Sequence, residues 1–178
     1  MNGDPPTRVL LVGMMGAGKS TIGRALSGKL AWPYFDSDVE VERRTGMTVR
    51  QLFETQGEAA FRAEEKAVLQ AALAGEGPRV VSVAGGAVLD PDNRRLVRGA
   101  GLVVWLRAMI PTLVAHVARG SHRPLLGDDP AGALARLYPA RRRVYEEVAE
   151  VIVDVDDLRP DEICDRILDA LAEQGWRP

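Results

Sequence analysis

The run Gly13-Met14-Met15-Gly16-Ala17-Gly18-Lys19-Ser20-Thr21 has the residue types and spacing to hold a polyphosphate. Glycines at 13, 16 and 18 permit backbone conformations that turn successive N–H groups toward one point, and a following helix adds roughly half a positive charge aimed at it. In the G-x-x-x-x-G-K-[ST] pattern the ammonium of Lys19 would reach the β/γ-phosphates, and the Ser20 hydroxyl would ligate Mg²⁺. Gly16, Ala17, Gly18 and Thr21 complete the nucleotide-binding candidates. The alternative, a glycine-rich turn with an exposed lysine, does not require a buried strand before it and a helix after it. Both are written here, as Val9-Leu10-Leu11-Val12 and as Thr21 to Leu30.

Phosphoryl transfer also needs a metal between the phosphates, a cation on the transferred group and a group that orients the acceptor hydroxyl. Asp36 and Asp38, in Asp36-Ser37-Asp38, offer carboxylates for two of these tasks. Asp36 would hold Mg²⁺ opposite Ser20, directly or through water, and Asp38 would accept from an acceptor hydroxyl. The competing reading makes Asp38 a helix cap and leaves Asp36 solvated. Arg62 shares a partly apolar helical stripe with Leu69 and Leu73 and lies three residues from Glu65. Arg141 shares a stripe with Leu137, Val144 and Val148, whereas Arg142 and Arg143 turn toward solvent. An arginine fixed at a pocket edge suits a bidentate grip on a carboxylate, although buried stems on surface arginines produce the same spacing. Arg123, in the polar Gly/Pro-rich stretch 118–130, could close over ATP or simply be a solvated loop residue. His116 and His122 lack companions at metal-ligand spacing and read as structural or solvated.

The elements that must position these groups alternate along the chain. Short apolar runs at Val9–Val12, Tyr34–Phe35, Val80–Val83, Leu102–Leu106 and Val151–Val153 are separated by helical segments. That pattern predicts one α/β domain over 1–178, with a five-stranded parallel sheet covered on both faces by helices. Ligands collect beyond the carboxyl ends of such strands. The glycine loop, Asp36 and Asp38, and Ala84-Gly85-Gly86 all fall there, and in the expected order the strand before Asp36 lies beside the strand before the glycine loop.

Composition narrows the partners. A chain of 178 residues with 23 basic and 25 acidic side chains carries a net charge of −2, so no general positive field draws nucleic acid or a membrane surface. No run approaches the roughly 20 apolar residues of a membrane span, the first residues lack the apolar core of a signal peptide, and the single Cys164 excludes an internal disulfide. A cytoplasmic monomer acting on a small molecule is expected, with no nucleic-acid or membrane partner.

Taken together, the ordered motifs resemble the shikimate kinase family over nearly the whole chain. They are the glycine loop, D-S-D, G-E-x-x-F-R-x-x-E from Gly57 to Glu65, G-G-A-V from Gly85 to Val88, R-P-L-L from Arg123 to Leu126, and Arg141 four residues before Tyr145. The resemblance implies a P-loop kinase fold with a mobile lid over 118–130, and ATP- and Mg²⁺-dependent phosphorylation of the 3-hydroxyl of shikimate in aromatic amino-acid biosynthesis. It implies metal roles for Ser20 and Asp36 and acceptor roles for Asp38, Arg62, Gly85, Gly86 and Arg141. It also implies catalytic roles for Lys19, Asp38 and the lid arginine Arg123, and an adenine-side position for Arg159. Two departures stand out: Ala84 replaces the first of three glycines, where a positive φ would be resisted, and the R-x-P-L-Y pattern becomes Arg141-Arg142-Arg143-Val144-Tyr145. The alternatives are a kinase for aminoshikimate or another small hydroxy acid, and a nucleotide-dependent switch without kinase activity. No Asn-Lys-x-Asp guanine signature supports a GTPase switch.

Overall fold

The computed structural model describes residues 6–118 and 129–177. The lid expected over 118–130, with Arg123 and His122, lies almost wholly outside them. Strand β1 (Arg8–Val12) is hydrogen-bonded on both edges, in parallel, to β3 (Arg79–Ser82) and β4 (Leu102–Arg107). Its residues Val9, Leu10, Leu11 and Val12 are accordingly buried, as a central strand covered on both faces requires. With β2 (Tyr34–Asp36) and β5 (Val151–Asp154) the sheet runs β2-β3-β1-β4-β5. The expected adjacency of β2 and β1 is therefore corrected: β3 intervenes, and β2 pairs with β3 at the sheet edge. Adjacency in sequence gave no information here, because the chain leaves β1 through a helix long enough to pass over a strand position.

That crossover is α1 (Lys19–Leu30). The loop from Gly13 to Gly18 feeds it, and α2 (Ser37–Thr45) follows β2 directly. Helix α3 (Val49–Ala74) begins with a Thr48–Gln51 capping box and breaks at Gly57 (φ 83°, ψ 173°). Only glycine adopts that backbone without strain. Val41, Leu52, Phe61 and Val68 form a small core of their own between α2 and α3. This core fixes the hairpin that carries Asp38 and Arg62, while the main core packs on the sheet.

Helix α4 (Pro91–Arg98) is capped by Asp90 and starts with a first-turn proline. Beyond β4, α5 (Ile110–Ala118) packs beside the glycine loop, α6 (Pro130–Val148) carries the arginine series, and α7 (Pro160–Glu173) closes the chain against α1. Among the described residues no helix is long and apolar enough to cross a membrane.

Candidate active site

Two cavities open at the carboxyl ends of the strands and share a wall. The first, about 480 Å³, is lined by Gly16, Ala17, Gly18, Lys19, Ser20 and Thr21 together with His116, Leu158, Pro160 and Ile163. The second, about 500 Å³, is lined by Arg62, Glu65, Gly85, Gly86 and Arg141, with Phe53 and Phe61 on its apolar side. Lys19, Ser20, Asp36 and Asp38 border both. Each volume is that of a small-molecule pocket. The groups suited to moving a phosphoryl thus stand where one pocket passes into the other.

On the first side, Gly13, Gly16 and Gly18 have φ of 144°, 86° and 89°. A Cβ on Gly16 would lie 2.8 Å from the Leu113 carbonyl oxygen, so α5 presses on the loop too closely for any other residue. Gly18 caps α1 without a side-chain bond, leaving the helix N-terminus open to a ligand. Lys19 Nζ donates to the carbonyls of Gly13 and Met14, at 2.8 and 3.1 Å, and is held across the loop mouth. His116 Nδ1 lies 2.8 Å from the Gly16 carbonyl oxygen. No sequence signal marked this histidine, because its place depends on how α5 docks. Arg159 is placed less directly than expected: its exposed side chain pairs with Glu162 as part of the α7 cap, while its neighbours Leu158 and Pro160 line the cavity.

At the shared wall, Ser20 Oγ donates to Asp36 Oδ2 at 2.7 Å. The cap of α2 is Asp36, not Asp38: Asp36 Oδ1 accepts from the Asp38 backbone N–H at 3.1 Å. The same carboxylate therefore starts the helix and faces the cradle, and Asp38 lines both cavities. Among the described residues no group of three or more His, Cys, Asp or Glu is placed to enclose a metal. A hydroxyl and a carboxylate beside a phosphate cradle nevertheless fit Mg²⁺, which is ordinarily held by one or two carboxylates plus substrate phosphates.

On the second side, Arg141 is 3% exposed, and its Nε and Nη1 have no hydrogen-bond partner among the described residues. Arg142 and Arg143 are exposed, as the helical stripe predicts. Tyr145, one turn on, donates to the Gly85 carbonyl at 2.7 Å. Burial pushes its hydroxyl well above the ordinary range, with Arg141 beside it offsetting part of the rise. Arg62 Nη1 donates to Glu65 at 2.8 Å, and its Nη2 reaches Glu58 at 3.2 Å. Burial alone would lower the Arg62 guanidinium, but Glu65 and Glu58 outweigh it and hold it above its usual value. Glu65, 2% exposed, is pushed up by burial against the opposing pull of Arg62 and Arg141. Both pKa values rise, which favours the charged form of Arg62 but disfavours that of Glu65, because Glu65 is the more deeply buried member of the pair.

The loop after β3 resolves the departure at Ala84. Its φ is not positive, and Ser37 Oγ accepts from its N–H at 2.8 Å while Ala87 N–H donates to its carbonyl. Alanine is accommodated without strain. Gly86 is the restrictive position, because a Cβ there would lie 2.4 Å from Arg62 Nη1. That atom ends a flexible side chain, so Gly86→Ala should fold normally but displace the guanidinium. The expected result is an unchanged melting temperature with acceptor KM raised roughly tenfold to a hundredfold, since an ångström of misplacement costs up to about 10². Calorimetric melting and steady-state kinetics on one preparation check both halves.

A glycine-loop α/β fold with a cation, a hydroxyl–carboxylate pair and an arginine-lined second pocket defines a P-loop phosphotransferase for a small anionic acceptor. The family model described as shikimate kinase matches residues 15–172. The chain is 42% identical over 170 residues to the shikimate kinase of Halorhodospira halophila, covering 95% of this chain and 96% of that one. It is 44% identical over 152 residues to that of Burkholderia pseudomallei, covering 85% and 82%. A shikimate kinase from Acinetobacter baumannii, solved in complex with shikimate, superposes with a TM-score of 0.91 at 32% identity, covering 98% of this chain and 97% of that chain. The chain belongs to the shikimate kinase family.

Proposed function

We propose that this chain transfers the γ-phosphoryl of ATP to the 3-hydroxyl of shikimate. The observation that carries this reading is the common wall of the two cavities, where Lys19, Ser20, Asp36 and Asp38 line both the glycine-loop cavity and the cavity of a buried arginine, Arg141, two of whose nitrogens have no hydrogen-bond partner among the described residues. A nucleotide entering the cradle meets the open N-terminus of α1 and the Lys19 ammonium. Ser20 and Asp36 would hold Mg²⁺, which would supply positive charge to offset that of the nucleotide phosphates. Arg141 and Arg62 grip the acceptor carboxylate, which orients the ring so that its hydroxyl approaches Asp38. Asp38 accepts that hydroxyl's hydrogen bond and aligns the oxygen for in-line attack. Lys19 and the lid arginine Arg123 stabilise the charge that develops on the moving group. The two-arginine, one-aspartate pocket favours a hydroxylated acid over a nucleobase. One domain over 1–178 with a lid at 118–130, working in the cytoplasm as a monomer, completes the proposal.

A coupled ADP-release assay comparing shikimate with its analogue bearing a primary alcohol in place of the carboxylate tests the reading. The acid should be phosphorylated with kcat/KM at least about a hundredfold higher, since paired hydrogen bonds to a charged group are worth about 1.5–3 kcal/mol each. Equal efficiency with the alcohol would remove the physical support for a carboxylate-reading pocket.

A further inference from the structure

The hydroxyl of Tyr34 reaches the same oxygen of Asp36 that Ser20 reaches. Tyr34 and Asp36 lie two apart on β2 and so point to one face, and Asp36 is registered against Ser82 of β3. Tyr34 donates to Asp36 Oδ2 at 2.8 Å, and its oxygen lies 2.8 Å from Ser82 Oγ. Because Tyr34 gives its one proton to Asp36, Ser82 Oγ donates to the Tyr34 oxygen, and it also lies 3.1 Å from the Lys19 carbonyl oxygen, inside the first turn of α1. Space for the ring comes from Gly23 of α1, where a Cβ would stand 2.3 Å from Tyr34 Cε2.

Proton direction in this cluster is determined by chemistry. A carboxylate oxygen only accepts, so Ser20 and Tyr34 both point their protons at Oδ2. Oδ1 is occupied by the Asp38 N–H, so the carboxylate plane is fixed from both ends. With its proton committed to Asp36, Ser20 turns only lone pairs toward the cradle, as a cation ligand must. Tyr34 itself lines neither cavity. We propose that Tyr34 is a positioning residue of the transfer site: with Ser82 behind it, its hydroxyl locks the Asp36 carboxylate and so presents the Ser20–Asp36 pair to a divalent cation. This rests on the reading of Ser20 and Asp36 as the cation-holding pair.

Outer partners of metal-holding groups typically carry 10–100-fold in metal affinity. Tyr34→Phe should therefore weaken Mn²⁺ binding to the protein–ADP complex about tenfold, read by electron paramagnetic resonance without acceptor. In kinetics it should raise the half-saturating Mg²⁺ concentration by a similar factor while leaving shikimate KM within about twofold. Ser82→Ala should shift both measurements in the same direction by a smaller factor, and it serves in place of Tyr34→Phe if that variant does not fold. Asp36→Asn is the reference. Loss of Mn²⁺ affinity in Asp36→Asn with wild-type affinity in Tyr34→Phe, or in Ser82→Ala where that stands in, overturns the Tyr34 role and leaves the cation pair standing. Wild-type Mn²⁺ affinity in Asp36→Asn overturns the cation pair, and the Tyr34 role with it. A Tyr34→Phe variant that only melts lower, with cation dependence unmoved, assigns the tyrosine to packing and also overturns the proposal.

Discussion

Lys19→Met should lower kcat by roughly 10²–10³-fold or more while shikimate affinity stays within about twofold of wild type. Removing one preorganised donor from a transition-state site costs about 2.7–4 kcal/mol, and here a full charge leaves together with the donor. The ammonium also donates to the carbonyls of Gly13 and Met14, so the variant gives up two loop contacts. Methionine keeps the length of the stem and most of its packing, and the lost bonds are worth about 1 kcal/mol each in net stability. The protein should therefore remain folded, with melting lowered by roughly 4–8 °C, because two such bonds total about 2 kcal/mol and each kcal/mol moves a chain of this size by about 2–4 °C. Isothermal calorimetry with shikimate and stopped-flow turnover separate the effects. Loss of shikimate binding equal to the loss of turnover would show that Lys19 assembles the acceptor pocket rather than acting on the transferred group.

Arg141 should behave in the opposite way, with stability and function moving apart. Its guanidinium is buried, and two of its nitrogens have no partner among the described residues. Burying a charge with incomplete pairing is costly, and replacing such a group by an apolar side chain of similar volume is often neutral or stabilising. Arg141→Met should thus melt at or a few degrees above the wild-type temperature, while shikimate affinity falls at least about a hundredfold through loss of a charged, two-pronged contact. Arg141→Lys keeps the charge but loses the fork, and should fall between the two, roughly tenfold to a hundredfold below wild type. ATP affinity should move little in either variant, since Arg141 lines only the second cavity. Melting curves and acceptor titrations decide the matter. A variant destabilised by more than about 2 kcal/mol with acceptor affinity intact would make Arg141 a structural ion.

Residues a few positions apart were legible in the sequence because the physics that positions them is local. The glycine loop needs only its strand, its glycines and the helix start, all within Arg8–Leu30. Helical periodicity alone separated Arg141 from Arg142 and Arg143, and put Arg62 within reach of Glu65, because side chains three and four apart share a helix face. Tertiary structure decided everything that depends on which strands pair. Parallel pairing joins residues far apart in sequence, and nothing in the apolar run of β3 distinguishes an edge position from a place between β2 and β1. The shared wall follows from that order: β3 lies under the crossover helix, so Ser82 meets Tyr34 and the start of α1, and Asp36 meets Ser20 although β2 does not touch β1. The docking of α5 put His116 on the loop, and the entry of β2 into α2 gave the cap to Asp36 rather than Asp38. Ala84 lost its expected strain for the same reason, since its backbone conformation is set by a bond to Ser37 and a turn to Ala87 that the tripeptide Ala84-Gly85-Gly86 does not contain.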